Sequence, residues 1–146
     1  MSKAKRAAWD ERAGAAANAR RELPRLAAEF FTLARKALAD DPAPPELHRV
    51  RLGAKRLRYT LELFRPCYSA GLEKRLAALR LVQRMLGEVN DSVAAAKLLP
   101  KGLSARAFVE RRAETKAREF RKHWAGQFDA PGQERLWTGY LARGKR

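Results

Sequence analysis

The sequence predicts an all-α protein, an antiparallel bundle of about four long helices forming a single domain over residues 1–146. Three observations carry this prediction. Apolar residues recur every three or four positions through most of the chain, and the alternation of a half-buried strand is almost absent. Helix breakers stand far apart, at Pro24, Asp40–Pro45, Pro66, Gly71, Pro100–Gly102 and Pro131–Gly132. A chain of 146 residues that is 46% hydrophobic can bury one core. That excludes a large multidomain enzyme and also a disordered polybasic tail.

Residues 1–23, rich in Ala and Arg, read as a weakly amphipathic peripheral helix. Pro24 is expected to open the next helix at its first turn, where its missing N–H is tolerated. Leu26, Phe30, Leu33 and Ala37 then mark one buried face. Asp40–Pro45 reads as a loop. A second long helix is predicted over residues 45–64, with Leu47, Val50, Ala54, Leu57, Leu61 and Phe64 on one side. A third runs from Gly71 towards Gly87, burying Leu72, Leu76, Leu79, Val82 and Leu86. Asn90-Asp91-Ser92 either caps a further helix over 92–99 or lies inside one continuous helix. Ser104 is the expected N-cap of a last long helix that buries Val109, Ala113, Phe120 and Trp124. The core bundle is thus placed at 24–128, with residues 129–146 as a tail whose Trp137 and Tyr140 fold back.

Charge dominates the composition. Thirty-two Lys and Arg stand against 16 Asp and Glu, a formal charge of +16. The excess is spread through the folded segments and favours a polyanion: nucleic acid, anionic lipid or a phosphate polymer. The single cysteine, Cys67, permits no internal disulfide and points to a reducing, cytoplasmic setting. No apolar run approaches the ~18 residues of a membrane span, so no membrane partner is expected. The segment after Met1–Arg6 is interrupted by Asp10 and Glu11, unlike a secretory signal.

The informative segment is residues 46–59. On a helix His48, Arg51, Lys55 and Arg58 follow at spacings of 3, 4 and 3, one stripe ~15 Å long beside the apolar side. Adjacent like charges repel by a few tenths of a kcal/mol each, so the arrangement gains nothing unless an anion occupies it. Only Glu62 continues the stripe with an acid. Arg49 and Arg56 flank it, and Arg111, Arg118 and Lys122 form a second row on the last helix. A solvated basic helix face is the plainer alternative. Metal ligation by His48 lacks partners, because His123 is remote in sequence and no acid lies one turn away. Neither Cys67 nor any Gly-rich loop, nucleophile elbow or carboxylate pair suggests catalysis. No catalytic residue, metal or cofactor is therefore assigned. Asn90-Asp91 reads as a helix cap, or as a partner orienting an arginine of the stripe.

His48-x-x-Arg51-x-x-x-Lys55-Arg56-Leu57-Arg58-Tyr59, followed by Leu79-x-x-x-Gln83-x-x-Leu86-Gly87-x-x-Asn90-Asp91, resembles the CHAD domain, the conserved-histidine α-helical domain. The resemblance is carried by residues 46–99 and extends loosely to Phe120 and Trp124. It implies an all-helical fold with an internal pseudo-two-fold, binding of inorganic polyphosphate, association with polyphosphate granules and a link to triphosphate-tunnel enzymes. By position it makes His48, Arg51, Lys55 and Arg58 the anion-binding row, with Arg49 and Arg56 as outer members. Gln83, Asn90 and Asp91 are implied to orient or pack. A complete family domain is about twice this long, so the chain either works as a single half-site or, as expected here, forms a homodimer that rebuilds the two-fold. The expected function is non-enzymatic polyphosphate binding. The alternatives are a nucleic-acid-binding helical protein, for which the base-reading or stacking equipment is weak and no recognised signature appears, and an accessory subunit of a polyphosphate- or triphosphate-processing enzyme.

Overall fold

The computed structural model describes residues 9–144. Its helices are α1 (Ala15–Leu38), α2 (Pro44–Leu63), α3 (Gly71–Lys97), α4 (Ser104–His123) and α5 (Gln133–Arg143). A 3₁₀ turn, Arg65–Cys67, joins α2 to α3, and a π-helical turn, Trp124–Phe128, extends α4. No strand occurs among the described residues, and the protein is all-α. Successive helices are neighbours: α1 packs on α2, α2 on α3 and α3 on α4, while α5 covers the other side of α1.

Local sequence explains most element ends. Pro44 and Pro45 open α2, where the missing N–H groups belong to the unpaired first turn, and Glu46 there meets the positive helix end. The segment before α1 is tied to the first turn of that helix by the buried Asn18. Its Nδ2 donates to the carbonyls of Asp10, Ala13 and Gly14 at 2.9–3.1 Å, and its Oδ1 accepts from the Asp10 N–H at 2.8 Å.

Three sequence expectations are corrected. Pro24 does not start a helix; it lies inside α1. An interior proline costs ~3 kcal/mol through its lost hydrogen bond and steric clash. Burial on both sides of it, of Ala19 and Leu23 before and Ala27, Phe30 and Phe31 after, offsets that penalty. Of the two readings of Asn90-Asp91-Ser92, the continuous helix holds, since α3 runs unbroken through it with Ser92 buried. Leu103, not Ser104, is the N-cap of α4, and no side-chain hydrogen bond closes that end. Val109 is only half-buried, since the N-terminal half of α4 has α3 as its main support.

The core centres on aromatic rings. Phe31 is fully buried and meets Phe30, Trp124, Phe128 and Trp137 at centroid distances of 5.3–6.4 Å. The π turn makes this possible. With the Asp129 N–H bonded to the Trp124 carbonyl at 2.7 Å, Trp124 and Phe128 stack at 4.8 Å and both enter the cluster. Asp129 then takes a bidentate pair from Arg35 of α1, at 2.8 and 2.6 Å, with Glu134 of α5 at 3.1 Å. These carboxylates hold the Arg35 guanidinium well above its ordinary pKa. Trp137 is buried, and the Tyr140 ring seats against Gly71, where a Cβ would lie 2.7 Å from it. The Arg75 guanidinium covers that ring at 3.9 Å, and burial lowers its pKa.

Candidate anion-binding groove

The inward side of α2 is Leu47, Val50, Ala54, Leu57 and Leu61, all buried. That fixes the rotation of the helix, so the His48–Arg51–Lys55–Arg58 stripe comes to the edge facing α3. Two contacts set the register. Arg51 lies over Gly87, its Nε and one terminal nitrogen 3.8 Å from where a Cβ would be. Eleven residues later on α2, Glu62 accepts from Arg80 of α3 at 3.4 Å. Residue numbers rise on α2 as they fall on α3, so the helices are antiparallel here, and the stripe lies along the Arg80–Gln83–Gly87–Asn90 edge of α3. A Cβ at 87 would meet the guanidinium at ordinary van der Waals distance, so the contact places Arg51 against α3 without requiring glycine there.

The four stripe residues differ in environment. His48 and Lys55 are exposed; Arg51 and Arg58 are half-buried. Among the described residues Arg51 makes no hydrogen bond or ion pair, and its Nε is shielded from solvent without an acceptor. The Arg58 Nε is likewise orphaned, and its terminal nitrogen reaches only a long 3.9 Å contact with Glu62. The Tyr59 ring lies under both Arg58, at 4.8 Å, and Lys55, at 5.7 Å. The Gln83 Oε1 is a third shielded atom without a partner. Buried polar atoms are nearly always paired. The Arg75 Nε, against the Tyr140 ring and away from this edge, is orphaned as well, so what distinguishes the α2 edge is two such guanidinium nitrogens in one row.

Of the other sequence candidates, Asn90 borders this edge and the rest lie off it. Arg49 contacts Glu46 at 3.7 Å, and Arg56 is exposed. Asn90 and Asp91 are exposed on α3 and, among the described residues, bond no arginine. Arg111, Arg118 and Lys122 are exposed on α4, with Arg118 donating to the Thr115 hydroxyl at 3.3 Å. α4 packs on α3 through Lys116, which bonds Glu88 at 3.0 Å. That hydrogen bond and the charges of Lys116, Arg84 and Arg112 hold the Glu88 carboxyl below its usual range. α2 and α4 both pack on α3, and no hydrogen bond or ion pair among the described residues joins the stripe of α2 to the exposed row of α4. Arg80 was missed in the sequence. Its signal was its place three residues before Gln83, on the helix carrying the second motif. No group of three or more His, Cys, Asp or Glu is placed to hold a metal among the described residues. No helix there is long and apolar enough to cross a membrane.

Fold and site together define an all-α protein with a basic row along the edge between two neighbouring helices, in which, among the described residues, Arg58 alone meets a carboxylate. Residues 2–100 match the family model of the CHAD domain, and the chain belongs to that family. No curated protein and no solved structure matches the chain. The family match ends at the turn between α3 and α4, so the groove lies inside it and the α4 row outside.

Proposed function

We propose that this chain binds inorganic polyphosphate without turning it over, along the groove edged by His48, Arg51, Lys55 and Arg58. The observation that carries this reading is Arg51, a half-buried guanidinium laid over Gly87 with no acceptor of its own. Membership of the CHAD family, associated with polyphosphate- and triphosphate-related proteins, supports the same ligand class. Guanidinium forks match phosphate oxygens bidentately, and a helix-long row of cations suits a linear string of phosphates better than a single anion. Recruitment to polyphosphate granules follows from the same binding, and the outward α4 row adds a second cationic strip to it.

The test is a titration with long-chain polyphosphate over a salt series, with duplex DNA as competitor. Polyphosphate is expected to displace DNA, and the logarithm of the affinity to fall with that of salt with a slope of about −3, near 0.7 per contact over four contacts. Displacement of polyphosphate by DNA at equal phosphate would overturn the reading. We also propose a two-fold homodimer, which would bring two such grooves together. Light scattering at tens of micromolar is expected to give the dimer mass, and a monomer there removes that part.

A further inference from the structure

We propose that Glu62 is an internal competitor for the anion, a specificity-determining residue that closes the Arg58 end of the groove until a phosphate chain displaces it. This inference rests on the polyphosphate reading above. The Glu62 Oε1 stands between two guanidinium groups of different helices, 3.9 Å from the Arg58 terminal nitrogen and 3.4 Å from that of Arg80. One oxygen facing two forks is the arrangement a bridging phosphate oxygen would make in the same place.

The rest of the row has no such neutraliser. The other acid of α2, Glu46, pairs with Arg49 away from the stripe. The free groove is thus open from His48 to Lys55 and self-occupied at Arg58. The occupation is weak. Both contacts are long, Glu62 keeps 29% of its side-chain exposure, and the Arg58 Nε stays buried without a partner. Exposed pairs of this kind contribute little, so a multivalent anion already held by Arg51 and Lys55 can replace the carboxylate. Glu62 then turns to solvent, and Arg58 and Arg80 both join the ligand. Arg80 enters the site only by this exchange, extending the contact surface from α2 onto α3.

Three variants test it, each read by titration with long-chain polyphosphate and checked for helicity by circular dichroism. Glu62→Gln is expected to tighten binding roughly fivefold. Glu73→Gln changes the net charge by the same amount near the same end of the bundle. Its carboxylate pairs with Arg65 at 2.7 Å, off the row, so it is expected to change affinity by less than about twofold. Arg80→Gln added to Glu62→Gln is expected to remove most of the gain, while Arg80→Gln alone does little because Glu62 already holds that guanidinium. Equal effects of Glu62→Gln and Glu73→Gln would overturn the inference and leave polyphosphate binding intact. So would a gain that survives the loss of Arg80. Absence of polyphosphate binding by the unsubstituted chain would overturn both readings together.

Discussion

The variant carrying His48→Ala, Arg51→Ala, Lys55→Ala and Arg58→Ala is expected to keep its helical content and to bind long-chain polyphosphate about 10³-fold more weakly. The estimate takes roughly 1 kcal/mol for each of four charge-assisted contacts. The fold has little stake in these groups, whose contacts are a 3.9 Å ion pair of Arg58 with Glu62 and the placement of Lys55 and Arg58 over the Tyr59 ring. The core residues of α2 are untouched, and Arg51 makes no bond within the described protein. Removing like charges at spacings of three and four residues even relieves a few tenths of a kcal/mol of repulsion per pair. Circular dichroism separates loss of fold from loss of site, and an unchanged affinity would defeat the assignment. Within the set, Arg51 is expected to matter most, because its Nε is shielded without an acceptor and its guanidinium, unlike that of Arg58, meets no carboxylate among the described residues. Arg51→Lys is expected to recover only a small part of what Arg51→Ala loses, since a lysine keeps the charge but not the planar fork that fits beside Gly87. Full recovery by lysine would mean that the groove offers bulk charge alone.

Phe31→Ala is expected to destabilise the protein by about 4 kcal/mol, the cost of emptying a buried aromatic site whose walls cannot collapse. The ring is fully buried, touches four other aromatic rings and lies beneath the Arg35 guanidinium at 5.3 Å. Those neighbours come from α1, the π turn and α5, so the cavity would loosen three elements at once. For a chain of this size the thermal midpoint should fall by roughly 12 °C. Phe108→Ala is the comparison, since Phe108 is 60% exposed and should change stability by less than about 0.5 kcal/mol. Chemical denaturation measures both. A Phe31 effect below about 1.5 kcal/mol would show that the aromatic cluster repacks and is not the centre of the fold.

The inward face of α2 was legible for Leu47, Val50, Ala54, Leu57 and Leu61, all buried, while Phe64, read onto the same face, is the C-cap and only half-buried. The reason is that a 3.6-residue period leaves one orientation in which every apolar side chain meets the core. Once that rotation is set, the stripe of His48, Arg51, Lys55 and Arg58 must lie along one edge, so its existence follows from spacing alone. Pro24 was read by propensity as a start signal, and packing overrode it, because burial on both flanks of α1 outweighs one lost hydrogen bond. The π turn at Trp124–Phe128 leaves no periodic trace, as a single extra residue in one turn looks like any other helical stretch.

Local order along the chain settled which residues turn inward, which remain charged at a helix edge, and that the class is all-α; these are short-range consequences of period, composition and proline placement. Pairing between helices settled the rest. Only packing puts Gly87 beneath Arg51, brings Arg80 to the carboxylate of Glu62, and leaves the α4 cations on a different side of α3. Those contacts depend on the register and crossing of helices joined by turns, and register follows from the sum of many side-chain fits across the interface, which no periodicity within one helix encodes.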